Sequence, residues 1–241
     1  GRLVPGTFTI IQPRVTSSLT STNFSLFSRL FSDSIGVDPY SRVVSDVYQD
    51  LSGEGSYYGK GIYDVYAFNR ILAKRFPEDL ILSHDLIEGA HTRAGLASDI
   101  ELYDEFPPDY LSYAGRLHRW IRGDWQIAVW LFPWVPLPDG AWGRNSLSLF
   151  SRWKIFDNLR RSLVPVSTIM LLVYSWIAGR GAEITSLLLI SPFLFWPVIS
   201  LILDLFTTRS GLKNFSLSPL RRSLVRTIVE VAMMPHLERA Y

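Results

Sequence analysis

Two carboxylates three positions apart, in the run Ser83-His84-Asp85-Leu86-Ile87-Glu88-Gly89, are the residues in this chain best suited to moving a proton. On a helix that spacing puts both on one face. An Asp where a strand passes into a helix is well placed for general-base work, because loops there open to substrate. The same residue ahead of a helix also serves as an N-cap, and residue type alone leaves both roles open. Downstream lies Arg116-Leu117-His118-Arg119-Trp120-Ile121-Arg122-Gly123. Helical spacing would set Arg116, Arg119, Trp120 and Gly123 on one face, giving two fixed cations beside a flat ring. Such cations suit a diphosphate, and a Trp ring can carry the apolar face of a sugar. A basic helix next to a membrane would read the same way. Upstream, Gly53-Glu54-Gly55-Ser56-Tyr57-Tyr58-Gly59-Lys60-Gly61 holds four glycines in nine residues. Its glycines permit close backbone approach to a ligand, but it has neither Walker nor dinucleotide-fold spacing, and a plain turn would also account for it.

These groups need elements to position them. Short β-like runs alternate with helical ones over the first half: Thr7–Val15 reads as a strand ended by Pro13, Phe24–Ser34 as an amphipathic helix or loop, Asp64–Arg75 as a helix stopping at Phe76-Pro77, and Arg116–Trp130 as another. The expected fold class is α/β. The 241 residues are 48% hydrophobic and include eight Trp, and the apolar excess is concentrated: from Leu163 to Phe206 the only charges are Arg180, Glu183 and Asp204. Residues 162–178 and 184–206 each approach the ~20 residues that cross a ~30 Å hydrocarbon core, so a transmembrane hairpin is expected over 162–207. Pro192 and Pro197 are tolerated in such helices. A buried hairpin of a water-soluble core is the other reading.

Arg152, Lys154, Arg160 and Arg161 precede the hairpin, and Arg209, Lys213, Arg221, Arg222 and Arg226 follow it, against Arg180 at its tip. Positive residues stay on the cytoplasmic side, which puts both ends there. Residues 125–161 and 208–241 are expected to form interfacial helices, with Trp130, Trp134 and Trp142 at headgroup depth. An aromatic core helix is the alternative for Trp125–Leu137. The net charge of +2 and the placement of basic residues beside apolar segments argue against nucleic acid. The absence of cysteine excludes disulfides and thiolate metal sites. The chain begins Gly1-Arg2-Leu3, without an initiating Met or a leader, and is expected to be a piece of something longer.

Taken in order, an Asp before a helix, an (Arg or Gln)-x-x-Arg-Trp motif and then membrane helices resemble processive glycosyltransferases of the cellulose synthase type. The strings GEGSYYGKGIYDV, FPEDLILSHDLIEGAHTRAGLASDIELYDEFPPDYLSYAGRLHRWIRGDWQ and RWKIFDNLRRSLVP are similar to the cyclic β-1,2-glucan synthase family in particular. The resemblance covers Phe8–Pro165 well and the hairpin more loosely. It implies that residues 1–124 are the acceptor-side, C-terminal half of a GT-A glycosyltransferase domain, followed by transmembrane and interfacial helices. It further implies that Asp85 is the catalytic base, that Arg116 and Arg119 hold the donor diphosphate, that Trp120 stacks on the acceptor glucose, and that Gly53, Glu54, Gly55 and Ser56 line the acceptor side. Where cellulose synthases have Glu before the base this chain has His84, and where many have Gln at the motif's start it has Arg116; both departures make a cellulose product doubtful.

The activity so implied is inverting transfer from UDP-glucose to a growing glucan at a bacterial inner membrane, by a multi-pass protein whose catalytic part is cytoplasmic. Mg²⁺ or Mn²⁺ is expected with it, held by an Asp-x-Asp motif outside this chain, since no Asp-x-Asp tripeptide occurs here. Alone, the chain is expected to bind UDP-glucose poorly and to be inactive; its partners would be the nucleotide sugar, the glucan acceptor, the lipid bilayer and further domains of a longer polypeptide. A related processive synthase making another linkage, and a non-catalytic membrane subunit, are the competing readings. An Asp-x-Asp motif upstream on the same polypeptide would separate the enzymes from the subunit.

Overall fold

A computed structural model describes residues 7–32, 47–81, 85–179 and 181–189, together with 191, 195, 199, 225–226 and 228–229. It is a mixed helix and strand structure, and the chain divides into two compact units, Gly1–Arg160 and Arg161–Tyr241.

The first unit is organised on a three-stranded sheet in which β1 (Ile10–Ser17) lies between β2 (Ile62–Tyr63) and β3 (Ala94–Asp104). Strands β1 and β3 run parallel, with Ile10 opposite Ala94 and Pro13 opposite Ala97. The register then slips, so that Arg14 faces Glu101 and Ser17 faces Asp104. The slip falls at Pro13 because proline has no N–H to offer the ladder. Proline therefore shifts the strand instead of ending it, and β1 runs past the expected stop at Val15. An ion pair from Arg14 to Glu101 at 3.2 Å and a hydrogen bond from Thr16 to Glu101 at 3.0 Å lock the new register. On its far side β3 meets Gly55 at Ala94 and the Gln49 side chain at Leu96, and no further strand pairs there among the described residues.

Parallel strands need a crossover, and its last helix is α5 (Asp85–Thr92). A single residue, Arg93, joins α5 to β3 in the left-handed region at φ 61°. Its guanidinium secures this bend by donating to Gly53 O at 3.2 Å and facing Glu54 at 3.6 Å. Helix α5 sits tightly on the Gly-rich segment, since a Cβ on Gly89 would lie 2.5 Å from that of Tyr57.

Of the other helices, α1 (Leu19–Thr22), α2 (Leu26–Phe31) and α3 (Val47–Ser52) are short. Helix α2 occupies the middle of the stretch read as helix or loop, because Ser25 and Ser28 form a reciprocal capping box at its start. Helix α4 (Val65–Leu72) begins as expected, with Asp64 accepting from the Ala67 amide at 3.0 Å. Helix α6 (Tyr110–Gln126) starts earlier than the expected Arg116, because Asp109 caps it through the Ser112 amide at 2.9 Å and hydroxyl at 2.8 Å.

After α6 the chain packs as core. Trp130, 2% exposed, lies with Ile87, Ile127, Val135, Leu147, Ile155 and Leu159 in one apolar cluster. This corrects the expectation of Trp130 at headgroup depth; Trp134 and Trp142 do stay exposed, on the hairpin of β4 (Trp134–Pro136) and β5 (Trp142–Arg144). Asn145 fixes that hairpin by donating to the carbonyls of Trp130 at 2.7 Å and Phe132 at 2.8 Å. The stretch expected as interfacial helices is thus a one-turn helix (Ala128–Leu131), a hairpin and the start of a long helix.

That helix, α7 (Leu149–Ala178), is 30 residues long with Pro165 inside it. At 1.5 Å per residue it extends about 45 Å. It has a window of mean hydropathy 1.4 that is only 11% buried, and is long and apolar enough to cross a membrane. The first expected span lies within α7, which begins well before residue 162. In the second, residues 182–189 are helical, as are 191, 195 and 199. The rest of that span lies outside the described residues, as does the expected helix over 208–241 except for helical 225–226 and 228–229.

Candidate functional site

Open α/β sheets bind ligands beyond the carboxyl ends of their parallel strands. Here those ends are Ser17 of β1 and Asp104 of β3, and a cleft opens beside them, lined among others by Asp104, Glu105, Tyr113, Arg116 and Trp120. Arg116 and Trp120 are one turn apart on α6 and so reach the cleft together. The Arg116 guanidinium stands 3.4 Å from Glu105 O, a long contact. Trp120 is 36% exposed, its ring accessible from the cleft. Arg119 is exposed and is not among the lining residues, so the structure groups Arg116 with Trp120 and leaves Arg119 outside.

The Gly-rich segment lies outside the cleft's lining and reaches one lining residue, Asp104, through its second half. Lys60 Nζ lies 2.5 Å from Asp104 Oδ2. Burial pushes the Asp104 carboxyl up, but the Lys60 hydrogen bond, the Glu105 amide and the Lys60 and Arg116 charges outweigh it and hold it below the usual carboxylate range. The preceding residue, Gly59, lies against Asp85: a Cβ there would stand 2.7 Å from Asp85 Oδ2. Two adjacent residues thus touch the candidate base on one side and the cleft's own carboxylate on the other. Asp85 is the first residue of α5, with Glu88 in the same turn, where carboxylates favour the helix dipole. Residues 82–84, ahead of α5, lie outside the described residues. Burial raises the Tyr57 hydroxyl pKa, and the negative fields of Asp85 and Glu88 raise it further.

The first half of the segment is an anchor. Gly55 pairs with Ala94 through an N–H···O bond of 2.8 Å, and Ser56 O accepts from Gln12 Nε2. Glu54 faces Arg93 and Lys154. Lys154 is itself buried: it donates to Gly55 O at 3.0 Å and lies over the rings of Phe150 and Tyr48 at 4.7 and 5.3 Å. Gly53, Glu54, Gly55 and Ser56 therefore hold the segment to β3 and α7, and Lys154, counted from sequence among the charges flanking the membrane, points into the protein. Sequence reasoning passed over Lys60, Asp104 and Tyr113 as site residues. The Gly-Lys-Gly triplet at 59–61 was the available signal for Lys60; Asp104 carried none, being brought to it only by the β1–β3 register.

His91 is half-buried, and its pKa is lowered to about 4, first by loss of solvent and then by the Arg75 charge. Nδ1 lies 3.2 Å from Arg75 Nη1 and accepts from it, so the neutral ring serves structure. Among the described residues no three His, Asp or Glu side chains converge as a metal site. The sequence has no Asp-x-Asp tripeptide either, so the described residues form no divalent-cation site of their own.

No family model matches the chain. It is 40% identical over 237 residues to the cyclic beta-(1,2)-glucan synthase NdvB of Rhizobium meliloti (strain 1021), a match that covers 95% of this chain and 8% of that protein. The likeness therefore extends through the apolar C-terminal part, further than the motifs alone carry it, and the chain corresponds to one small segment of that long relative.

Proposed function

We propose, from this kinship with one segment of a cyclic β-(1,2)-glucan synthase, that the chain is the acceptor-side part of a membrane-bound inverting glucosyltransferase, which moves glucose from UDP-glucose onto a growing β-1,2-glucan. The observation that carries the reading is the juxtaposition made by two adjacent residues: Gly59 lies against the Asp85 carboxylate, which is itself outside the cleft's lining, and Lys60 reaches Asp104, which lines the cleft with Arg116 and Trp120.

In this mechanism the acceptor glucose rests on Trp120, and Asp85 takes the proton of the attacking hydroxyl as its oxygen bonds to the anomeric carbon and the bond to UDP breaks. Base catalysis of this kind is worth roughly 10²–10⁴-fold. Arg116 is placed to meet the charge that develops on the departing diphosphate. Arg119, on the same helix but outside the cleft, is kept as a second contact to that group. A divalent cation, where bound, would offset the same charge; its ligands belong to residues beyond those in hand. The cellular setting in this reading is the bacterial inner membrane, with α7 among several spans and the sheet-bearing unit on the cytoplasmic side.

The test is incorporation of radiolabelled glucose from UDP-glucose by membranes carrying the full-length parent, wild type against Asp85→Asn, with linkage analysis of the product. Polymer of β-1,2 linkage that disappears in the variant supports the reading; undiminished incorporation returns Asp85 to a helix-stabilising role.

A further inference from the structure

We infer that Lys60 is a ligand of the diphosphate that enters this cleft, and that Asp104 is its exchangeable stand-in when no anion is bound. The inference rests on the glucosyltransferase reading and adds to it a residue outside the motifs at 85 and 116–120.

Lys60 stands between two glycines that pin the backbone. Gly59 lies against Asp85, and a Cβ on Gly61 would come within 2.6 Å of Ile11 O on β1. The chain thus has little freedom there, and the side chain is delivered to the strand ends, where it meets Asp104 Oδ2 at 2.5 Å. Asp104 also feels the Arg116 charge, so one carboxylate faces two cations at the rim of the cleft, with Glu105 exposed next to it. Both partners of the pair keep more than a third of their side chains in solvent, 36% for Lys60 and 38% for Asp104. Such a half-exposed pair adds little to stability. A diphosphate offers several charged oxygens and stronger charge-assisted hydrogen bonds. It can therefore displace Asp104 at small cost and take Lys60 and Arg116 together.

The experiment measures binding of labelled UDP to the purified full-length parent, with uridine as the control ligand lacking phosphate. Lys60→Met should raise the Kd for UDP about tenfold, and Asp104→Asn, which frees both cations, should lower it severalfold; neither should change uridine binding. Asp104→Asn guards against a misfolded Lys60→Met, since damage to the fold does not tighten binding. UDP affinity that neither falls in Lys60→Met nor rises in Asp104→Asn overturns the assignment of Lys60 alone. A wild-type parent that fails to bind UDP overturns the glucosyltransferase reading on which it rests.

Discussion

Gly59 leaves room for the carboxylate of Asp85 and for nothing more: a single added carbon would come within 2.7 Å of Oδ2. Gly59 also sits at φ +83°, where a side chain costs roughly 1–2 kcal/mol. Gly59→Ala should therefore displace the carboxylate while leaving most of the fold in place. In the full-length parent, glucan synthesis should drop at least about tenfold, a barrier increase of about 1.4 kcal/mol. Full synthesis by a folded Gly59→Ala protein would show that the position of Asp85 is not critical to the reaction.

Trp120 presents its ring to the same cleft from α6, one turn from Arg116. With the ring under the acceptor, Trp120→Ala should slow chain elongation by roughly tenfold and spare hydrolysis of UDP-glucose. The two rates are measured on one preparation. Equal loss of both would move Trp120 from the acceptor to the donor side.

Lys154 couples α7 to the Gly-rich segment through Gly55 O and Glu54. Removing one member of a buried pair costs about 3–5 kcal/mol, and Glu54 keeps Arg93, so Lys154→Met should fall near 3 kcal/mol. Faster proteolysis around residues 53–56 and a lowered thermal midpoint are the expected readouts. An unchanged midpoint would mean that the contacts of Lys154 add nothing to stability.

Parts of this architecture are legible in the chain and parts are not. Asp64 announces α4 because its capping partner is only three residues away, and the apolar run from Leu163 is visible because the criterion is a sum along the sequence. Lys154 and Trp130 mislead for the opposite reason. A lysine beside apolar residues and a Trp near prolines look interfacial by type, and only tertiary packing turns both inward. The Gly-rich segment stands out in the sequence, and the family resemblance put ligand contacts in its first half. Its second half touches Asp85 and Asp104 because 53–56 are consumed by Ala94, Arg93, Lys154 and Gln12. The meeting of Lys60 with Asp104, 44 residues away, follows from a strand register that a proline shifts.

His91 makes stability fall with acid. Its folded pKa, lowered to about 4, lies beneath the ordinary value of 6.5. The unfolded chain therefore takes up a proton first, and the stability present above pH 6.5 is lost as pH falls toward 4. The loss amounts to as much as about 3 kcal/mol. Replacement by Gln, which keeps an acceptor for Arg75, should flatten this dependence. Acid unfolding followed by tryptophan fluorescence would show it, and an equally steep curve in His91→Gln would assign the sensitivity to other groups.

Beyond Leu96, strand β3 pairs with no further strand on its outer side among the described residues, and Ile100, Leu102 and Tyr103 are exposed there. The part of the strand from Ala97 to Asp104 is thus a template on which another copy can add itself, with aggregation as the usual result. Asp99 interrupts the apolar positions with negative charge and opposes such stacking, while Glu101 and Asp104 are matched by Arg14 and Lys60. Production of this segment on its own should therefore depend on keeping Asp99 and the two pairs charged, with precipitation setting in as the solution is acidified.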